Sequence, residues 1–473
     1  MIVISKPEMW PIKLYPKVEN ETELVLSHYA IVVEYEDGYL LHHTITWSIF
    51  YFSKEEYENI FTNEKMKMIK VVLDKSIDED EVAEKVYLKR SEYPKPFTFD
   101  SLRGCVLMTT TACNARCHYC YEKGILPVGM TIPVAEKVAK FLAERATDKK
   151  MKIQWFGGEP LLNTRVMDYI TKYLEDSGVT VTSSMISNGY LLNEENVEKM
   201  EKVWHMNFVQ ITIDGPKDTY NAIKNFKVKD ANPFDTVIGN IKRVLEKTNV
   251  KIAIRINACE ENIDELDELL SFISTEFKDE LQTKKKNRIM VDFAQIYQLA
   301  SNIYGEYPEG FEEKYDALKK KYSSIIKGRN HVTLIKKTNL QFCGADAGHM
   351  VVIHPSGQLG PCEHWTDKEI MGDVENGITN PEIPEAWRIK GGSNLDYCKK
   401  MKCPMIPSCK RSTKCPSGQF CQSEKKFNLM LKWKKESIIK TFEDYLFRVS
   451  TGEKIRLIEP RDNGQEEIDR TCI

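Results

Sequence analysis

Apolar and polar positions along the middle of the chain repeat in a strand-then-helix order. Because parallel neighbouring strands need crossover helices, this order predicts a parallel sheet, and six strands where a closed barrel has eight predict an incomplete barrel. The predicted strands are Cys105–Thr109, Met151–Phe156, Val179–Ile186, Phe208–Ile213, Val250–Asn257 and Ile289–Ile296. The predicted helices include Val134–Ala146, Arg165–Asp176, Asn193–Val203, Asp235–Glu246 and Ile263–Phe277.

The two ends of the chain follow other patterns. Tyr29–Tyr35 is strand-like, Asp37-Gly38 is a turn signal, and Tyr39–Phe52 continues as β-rich sequence, which is typical of a hairpin. The segment Ser53-Lys54-Glu55-Glu56 then opens a short helix with N-cap chemistry. Near the carboxyl end, Ser423–Val449 is a lysine-rich helix with apolar residues along one stripe, which we expect to cover the cysteine-rich region before it.

Composition excludes several function classes. The chain is 42% hydrophobic and 29% charged, as is ordinary for a soluble globular protein. Its net charge of −3, from 67 basic and 70 acidic residues, excludes the strongly basic footprint of a nucleic-acid-binding protein. No apolar run approaches the roughly 18 residues of a membrane span, and the first residues lack the order of a signal peptide. We therefore expect a cytoplasmic protein with neither nucleic acid nor membrane as partner.

The chain has thirteen cysteines, and they are unevenly placed. Three lie within Cys113–Cys120 and seven within Cys343–Cys421. Disulfides rarely persist in a reducing compartment, so clustered thiolates indicate metal binding. Of the isolated cysteines, Cys105 on the first strand and Cys259 after the fifth are expected to be buried small residues.

The first cysteine cluster has the spacing C-x3-C-x2-C, formed by Cys113, Cys117 and Cys120. Three thiolates can hold three corners of a [4Fe–4S] cluster, which normally takes four. The missing ligand leaves one iron open, which indicates a catalytic site. The alternative is structural zinc, which needs four protein ligands. This loop follows the first strand, at the sheet edge where parallel α/β folds place their active sites.

This motif, with Tyr119 just before its last cysteine, resembles the radical SAM superfamily over about residues 101–300. The resemblance implies a partial (β/α)6 TIM-like barrel. It also implies that S-adenosylmethionine (SAM) chelates the open iron and is cleaved on reduction to a 5′-deoxyadenosyl radical, which abstracts a substrate hydrogen atom.

The same resemblance implies the SAM contacts. Tyr119 is similar to an aromatic residue near the adenine, and Gly157, Gly158 and Glu159 match a turn that accepts the methionine ammonium. Further segments resemble those that line the ribose and carboxylate, and the carboxylate partner is Lys224 or, in its place, Arg255. The complete predicted set is Tyr119, Gly157, Gly158, Glu159, Ser187, Asn188, Thr212, Asp214, Lys224, Arg255 and Asn257.

The second cysteine cluster exceeds one tetrathiolate site, and a zinc ribbon, the alternative, would prefer C-x2-C knuckles. Its order resembles the SPASM extension of radical SAM enzymes, which carries two auxiliary [4Fe–4S] clusters, although the spacings Cys398-x4-Cys403 and Cys409-x5-Cys415 are longer than the common form. By this resemblance the first auxiliary cluster is held by Cys343, Cys362 and Cys415, with the fourth iron either open or ligated by His349. The second is held by Cys398, Cys403, Cys409 and Cys421.

A catalytic base is suggested by Glu363, which directly follows Cys362. In similar enzymes that convert a serine or cysteine of sulfatases to formylglycine, an aspartate acts as base at this place. A carboxylate beside a buried cluster is a reasonable base, and a surface position for Glu363 is the alternative.

The predicted domains are an amino-terminal module at 1–97, the barrel at 98–330, a SPASM domain at 331–422 and a carboxyl-terminal helix and tail at 423–473. The amino-terminal α+β module resembles the winged-helix-like leader-recognition elements of peptide maturases. We therefore expect a radical SAM enzyme with three [4Fe–4S] clusters that forms a thioether or carbon–carbon cross-link in a ribosomal precursor peptide. Its reductant would be a flavodoxin or ferredoxin. The alternatives are a formylglycine-generating enzyme and a non-catalytic iron–sulfur carrier.

Overall fold

The computed structural model describes residues 1–19, 23–92, 98–120, 122–228, 232–282, 288–296, 309–326, 344–363, 369–388, 395–409, 421 and 424–450. The chain divides into two compact units. The first, here called the terminal unit, comprises Met1–Pro96, His331–Asp346 and Ala386–Ile473. The second, here called the barrel unit, comprises Phe97–Asn330 and Ala347–Glu385. The domain boundaries given above stay a prediction.

The amino-terminal part of the terminal unit is built from short strands and helices. They are β1 (Ile2–Ser5), β2 (Leu24–Leu26), β3 (Ala30–Tyr35), β4 (Gly38–His43), β5 (Ser48–Ser53), α1 (Lys54–Glu58), α2 (Glu64–Met68), β6 (Val72–Asp74) and α3 (Glu79–Ser91). Four strands form an antiparallel sheet in the order β1-β5-β4-β3, and β2 pairs with β6. The predicted hairpin is confirmed by the pairing of Tyr35 with Gly38. The predicted N-cap is also confirmed, because Ser53 and Glu56 form a capping box at α1.

The barrel unit has the predicted alternation of strands and helices. Its elements up to residue 326 are β7 (Gly104–Thr110), α4 (Ile132–Arg145), β8 (Lys150–Gly157), α5 (Thr164–Asp176), β9 (Thr180–Ser187), α6 (Glu194–Lys202), β10 (Met206–Thr212), α7 (Lys217–Lys224), α8 (Pro233–Lys247), β11 (Lys251–Ala258), α9 (Leu266–Glu276), α10 (Lys278–Gln282), β12 (Ile289–Gln295) and α11 (Phe311–Lys321). The strands β7 to β12 are parallel and adjacent in chain order. All six predicted strands are therefore confirmed.

The described carboxyl-terminal elements are α12 (Gly344–Ala347), β13 (Met350–Ile353), β14 (Gln358–Gly360), β15 (Gly372–Asp373), β16 (Gly377–Ile378), α13 (Glu382–Trp387), α14 (Leu395–Lys400) and α15 (Glu424–Ser450). Strand β13 pairs in parallel with β7, and β14, β15 and β16 continue the sheet in antiparallel fashion. The barrel sheet is thus extended at its β7 edge, which the sequence pattern did not predict. Among the described helices, none is long and apolar enough to cross a membrane.

The long helix α15 packs on the antiparallel sheet of the terminal unit. Its Ile438 and Phe442 share a buried apolar cluster with Ile31 and Leu40 of the sheet. The ring of Phe442 also stacks on Tyr51, with centroids 5.0 Å apart. The apolar stripe of this lysine-rich helix is therefore covered by protein.

Candidate active site

The loop that carries Cys113, Cys117 and Cys120 leaves the carboxyl end of β7 and is supported by the turn after β8. The N–H groups of Gly158 and Glu159 donate to the carbonyls of Thr110 and Ala112, each at 2.9 Å. A methyl group on Gly158 would collide with the Ala112 carbonyl, and Gly157 has a φ of +127°. Only glycines therefore allow the two backbones to lie this close.

The three cysteines of this loop suit a polynuclear centre better than a single ion. Thiolates that share one zinc ion lie about 2.3 Å from it, so their sulfurs are less than about 4.6 Å apart. The three sulfurs of Cys113, Cys117 and Cys120 do not all lie within 4.8 Å of one another. Burial raises the pKa of Cys113 to about 11, and the neighbouring Glu159, Cys117 and Cys120 add to this. The half-buried thiols are thus mutually close, and a cationic cluster shared by them would relieve their repulsion.

Glu159 organises the next loop of the site. Its buried carboxylate accepts hydrogen bonds from the Ser187 hydroxyl at 2.9 Å and from the Asn188 N–H at 2.9 Å. Burial raises the pKa of Glu159 to about 7, although these donors favour the charged form. The Asn188 amide in turn donates to Asn114 on the cysteine loop at 2.7 Å. The structure therefore brings Glu159, Ser187 and Asn188 together beside Cys113.

A second network joins the cysteine loop to the ends of β10 and β11. The buried carboxylate of Asp214 accepts a hydrogen bond from the Tyr119 hydroxyl and pairs with the Lys224 ammonium at 2.8 Å. Lys224 also donates to the Tyr119 oxygen at 2.9 Å. Burial alone would lower the pKa of Lys224, but Asp214 raises it well above its usual range. The Lys224 charge is thus matched within the protein.

The remaining predicted SAM contacts lie at the same edge of the sheet. Thr212 ends β10 and pairs with Arg255 on β11. The Arg255 guanidinium pairs with Asp292 at 2.8 Å and donates to the Asn257 amide oxygen at 2.9 Å. The Asn257 N–H donates to Asp214 at 3.0 Å. Lys224 and Arg255 each pair with a carboxylate of the protein. A cofactor carboxylate would therefore share either cation with an acidic side chain.

Sequence reasoning missed three residues of this site. Asn114 lies between two of the cysteines and accepts from Asn188, so the motif itself could have indicated it. Asp292 interrupts an otherwise apolar strand, which is a usable signal. Glu122 follows the motif, and burial raises its pKa to about 7; no sequence pattern marked this environment.

The second predicted cluster site is partly described. Cys398, Cys403, Cys409 and Cys421 all lie in the terminal unit. Burial raises the pKa of Cys403, and the neighbouring Cys409, Cys398 and Cys421 also act to raise it, against a hydrogen bond from the Met405 N–H that lowers it. Like the first three cysteines, none of them belongs to a group of three or more donors within 4.8 Å. The four thiols are close enough to influence one another's pKa, but no three of them lie within 4.8 Å of one another.

The Cys403–Cys409 segment is bound to the amino-terminal part of the same unit. The Thr44 hydroxyl donates to the Pro404 carbonyl, and Arg90 donates to the Pro407 carbonyl at 2.9 Å. Cys403 also shares a buried apolar cluster with Tyr29. The four-cysteine site therefore rests on the amino-terminal module.

Of the ligands predicted for the first auxiliary cluster, Cys343 and Cys415 lie outside the described residues. His349 precedes β13, and Cys362 follows β14, so both lie at the end of this hairpin where β7 begins. Burial lowers the pKa of His349 to about 4, and the Cys362 thiol lies 3.4 Å from the Glu363 carboxylate. The cysteine loop lies at the other end of β7, which at about 3.3 Å per residue is roughly 20 Å away.

Comparison with known proteins gives a family match over the barrel. Residues 107–273 match the Radical SAM superfamily. The uncharacterized protein MJ0907 of Methanocaldococcus jannaschii is 27% identical over 296 residues, 60% of this chain and 93% of that protein. A probable GTP 3′,8-cyclase of Methanococcus maripaludis is 23% identical over 299 residues, with 61% and 93% covered. The sporulation killing factor maturation protein SkfB of Bacillus subtilis is 25% identical over 166 residues, 35% of this chain and 38% of that protein.

The fold is also found in solved structures. A structure of histidine-tagged anSMEcpe with bound AdoMet aligns with a TM-score of 0.51 at 18% identity, covering 74% of this chain and 99% of that one. A radical SAM domain implies SAM and one [4Fe–4S] cluster, which when bound supply reductive cleavage of SAM to a radical that takes a hydrogen atom. The three loop thiols fit that cluster. The family match and the geometry of the cysteine loop agree on the same residues, so residues 107–273 of this chain carry a radical SAM domain.

Proposed function

We propose that this radical SAM enzyme is a peptide maturase, which forms an intramolecular thioether or carbon–carbon cross-link in a ribosomally made precursor peptide. The observation that carries the proposal is the four-cysteine site of the terminal unit, which rests on the amino-terminal module. An auxiliary [4Fe–4S] cluster on Cys398, Cys403, Cys409 and Cys421 would supply electron transfer. Closing a bond between a substrate radical and a thiolate leaves one electron to be removed, so such a site suits a cross-linking enzyme.

The antiparallel sheet offers a place for the peptide. Its order leaves β1 and β3 at the edges, and neither pairs with a further strand among the described residues. An exposed sheet edge can bind an extended peptide as an added strand, through main-chain hydrogen bonds. This geometry supports a leader-binding role for the amino-terminal module.

The relatives and solved structures include both peptide-modifying enzymes and nucleotide cyclases. SkfB is named for maturation of the sporulation killing factor, and anSMEcpe has been solved with AdoMet and a Kp18Cys peptide. The relatives named GTP 3′,8-cyclase are the counter-argument. The chain has an added antiparallel module and a second cysteine group, and both favour the peptide.

The position of Glu363 bears on the formylglycine alternative. That reaction would need Glu363 as a base near the substrate radical. Glu363 follows β14, at the end of the sheet opposite the cysteine loop and roughly 20 Å from it by strand length. This separation favours cross-linking over a Glu363-dependent oxidation.

Co-expression of the full chain with each short open reading frame beside its gene tests the proposal. We expect intact-mass spectrometry to show a peptide that has lost two hydrogen atoms per cross-link. Resistance to thiol alkylation would identify a thioether, and an alkylatable thiol would identify a carbon–carbon bond. Formylglycine made from cysteine would instead appear as loss of sulfur from the peptide. Formylglycine made from serine would also lose two hydrogen atoms, but the new aldehyde would react with a hydrazide reagent, which a cross-linked peptide would not do. Consumption of GTP by the purified enzyme, with every peptide unchanged, would contradict the proposal.

A proline scan of the β3 edge tests peptide binding separately. The Tyr35–Gly38 pair closes the two-residue turn and is a hydrogen-bonded pair. Because hydrogen-bonded and non-hydrogen-bonded pairs alternate along an antiparallel ladder, the N–H of the next residue, Glu34, points away from β4. Glu34→Pro removes this outward donor and should weaken binding of the modified peptide about tenfold or more, since proline cannot donate to an added strand. Glu34→Ala is the matched control, with the donor kept. Equal affinities of the two variants would exclude strand addition at β3.

A further inference from the structure

We propose that His118, Cys259 and Glu261 form a zinc site separate from the iron–sulfur sites. Their donor atoms, one ring nitrogen, one thiol sulfur and one carboxylate oxygen, all lie within 4.8 Å of one another. The His118 Nε2 and Glu261 Oε1 atoms are 3.5 Å apart. Among the residues that the structure describes, no other group of three or more histidine, cysteine or acidic donors lies this close together.

The spacing suits one tetrahedral ion. Zinc binds nitrogen, oxygen and sulfur at about 2.0 to 2.3 Å, so neighbouring ligand atoms in a tetrahedron lie roughly 3.3 to 3.8 Å apart. The 3.5 Å separation of His118 and Glu261 falls in this range. Because both side chains are about half exposed, at 44% and 58%, they can adjust to the ion without disturbing the core.

The buried member of the group is firmly positioned. The Cys259 N–H donates to the Asn262 amide oxygen at 2.8 Å. The Asn262 amide donates in turn to the carbonyls of Asp214 at 2.6 Å and Asn257 at 2.9 Å. Cys259 is 6% exposed, so its thiol is fixed at the end of β11 while the other two ligands approach from the surface. The fold therefore holds one ligand in place, and the two exposed side chains complete the site.

The donor types select the metal. Calcium and magnesium prefer oxygen ligands, whereas thiolate with imidazole is a zinc combination. On binding, the Cys259 thiol loses its proton to solvent, and His118 coordinates as a neutral ring. Three protein ligands leave the fourth position for water or for a group of a substrate. The ion would tie the cysteine loop, at the residue after Cys117, to the end of β11.

A second imidazole–carboxylate pair on the protein surface serves as a comparison. His205 Nε2 and Glu175 Oε1 lie 2.6 Å apart in the same unit. This pair does not belong to any group of three donors among the described residues. An imidazole–carboxylate contact alone therefore does not make a metal site, and His205 provides a matched control.

The proposal is tested on the full-length protein after its clusters have been reconstituted. Zinc is added, excess metal is removed on a desalting column, and the zinc that stays bound to the protein is measured. We expect about one zinc ion per chain that is lost in Cys259→Ser and at least halved in His118→Ala and Glu261→Gln. His205→Ala should keep the zinc of the parent protein. Iron content is measured in each sample, so that loss of a cluster is recognised. Since Glu261 is exposed, Glu261→Gln should fold even if Cys259→Ser does not.

X-ray absorption at the zinc edge provides the second measurement. We expect a first shell of one sulfur at about 2.3 Å with nitrogen or oxygen ligands at about 2.0 to 2.1 Å. A shell of three or four sulfurs would mean that zinc occupies incompletely filled cluster sites, and would overturn the proposal. Equal zinc content in the parent protein and in Glu261→Gln, Cys259→Ser and His118→Ala would overturn it as well.

Discussion

Arg90, at the end of α3, should be essential to the terminal unit because it joins the amino-terminal module to the Cys403–Cys409 segment. Its side chain is 3% exposed and pairs with Glu8. It donates to the carbonyls of Pro407 at 2.9 Å, Ile45 at 2.9 Å and Thr44 at 3.2 Å. Arg90→Met removes these contacts while filling much of the same volume.

The loss of stability expected for Arg90→Met comes from the buried acceptors that lose their hydrogen-bond donor. A hydrogen bond from a charged donor contributes about 1 kcal/mol or more, and each buried acceptor left without a partner adds its desolvation penalty. Three carbonyls and the Glu8 carboxylate lose the Arg90 donor. Breaking a buried ion pair alone typically costs about 3 to 5 kcal/mol. We expect Arg90→Met to lower the free energy of unfolding of the terminal unit by about 4 kcal/mol, with partial offset from the apolar methionine.

Urea denaturation read by hydrogen exchange of α3 and β4 measures this unit apart from the barrel. Lys85→Met, on the same helix, is the control, because Lys85 makes an exposed pair with Glu81 four residues away, which contributes about 0.5 kcal/mol or less. Iron content should fall in Arg90→Met and stay unchanged in Lys85→Met. A destabilisation of less than about 1 kcal/mol, with full iron content, would refute the assignment of Arg90 as the joining residue.

Three further predictions concern the cysteine loop, Lys224 and His43. Replacing Cys113, Cys117 and Cys120 together with alanine should remove about four iron atoms per chain and abolish SAM cleavage, measured as 5′-deoxyadenosine; persistent cleavage would contradict the cluster assignment. Lys224→Met should destabilise the barrel unit by about 3 to 5 kcal/mol in urea denaturation, because it leaves the buried carboxylate of its partner without a cation, and a change below about 1 kcal/mol would argue against a buried pair. Burial lowers the pKa of His43 to about 4 from its ordinary value of 6.5. The unfolded state therefore binds more protons between these two values, and stability should fall as the pH falls, by about 2 kcal/mol from pH 7 to pH 5 relative to His43→Gln. The same pH slope in both proteins would exclude His43 as its source.

The order of strands and helices was readable from the sequence because each signal is local. A strand alternates or is apolar over a few residues, a helix repeats every 3.6 residues, and a capping residue such as Ser53 acts within one turn. The cysteine spacing of Cys113–Cys120 and the Gly157-Gly158-Glu159 turn are also continuous in sequence. The sequence alone therefore determined the parallel β7 to β12 order, the position of the cysteine loop and the chemistry that it can support.

Which distant residues meet was decided only by the tertiary structure. Asp214 contacts Tyr119 and Lys224 because parallel neighbours place the ends of their strands at one edge. Nothing in the periodicity of Met350–Ile353 indicates that it pairs with β7. Arg90 is one charge among many on a helix until folding buries it against the Cys403–Cys409 segment. A local pattern specifies which face of an element is buried, whereas the partner on that face depends on packing between segments far apart in the chain.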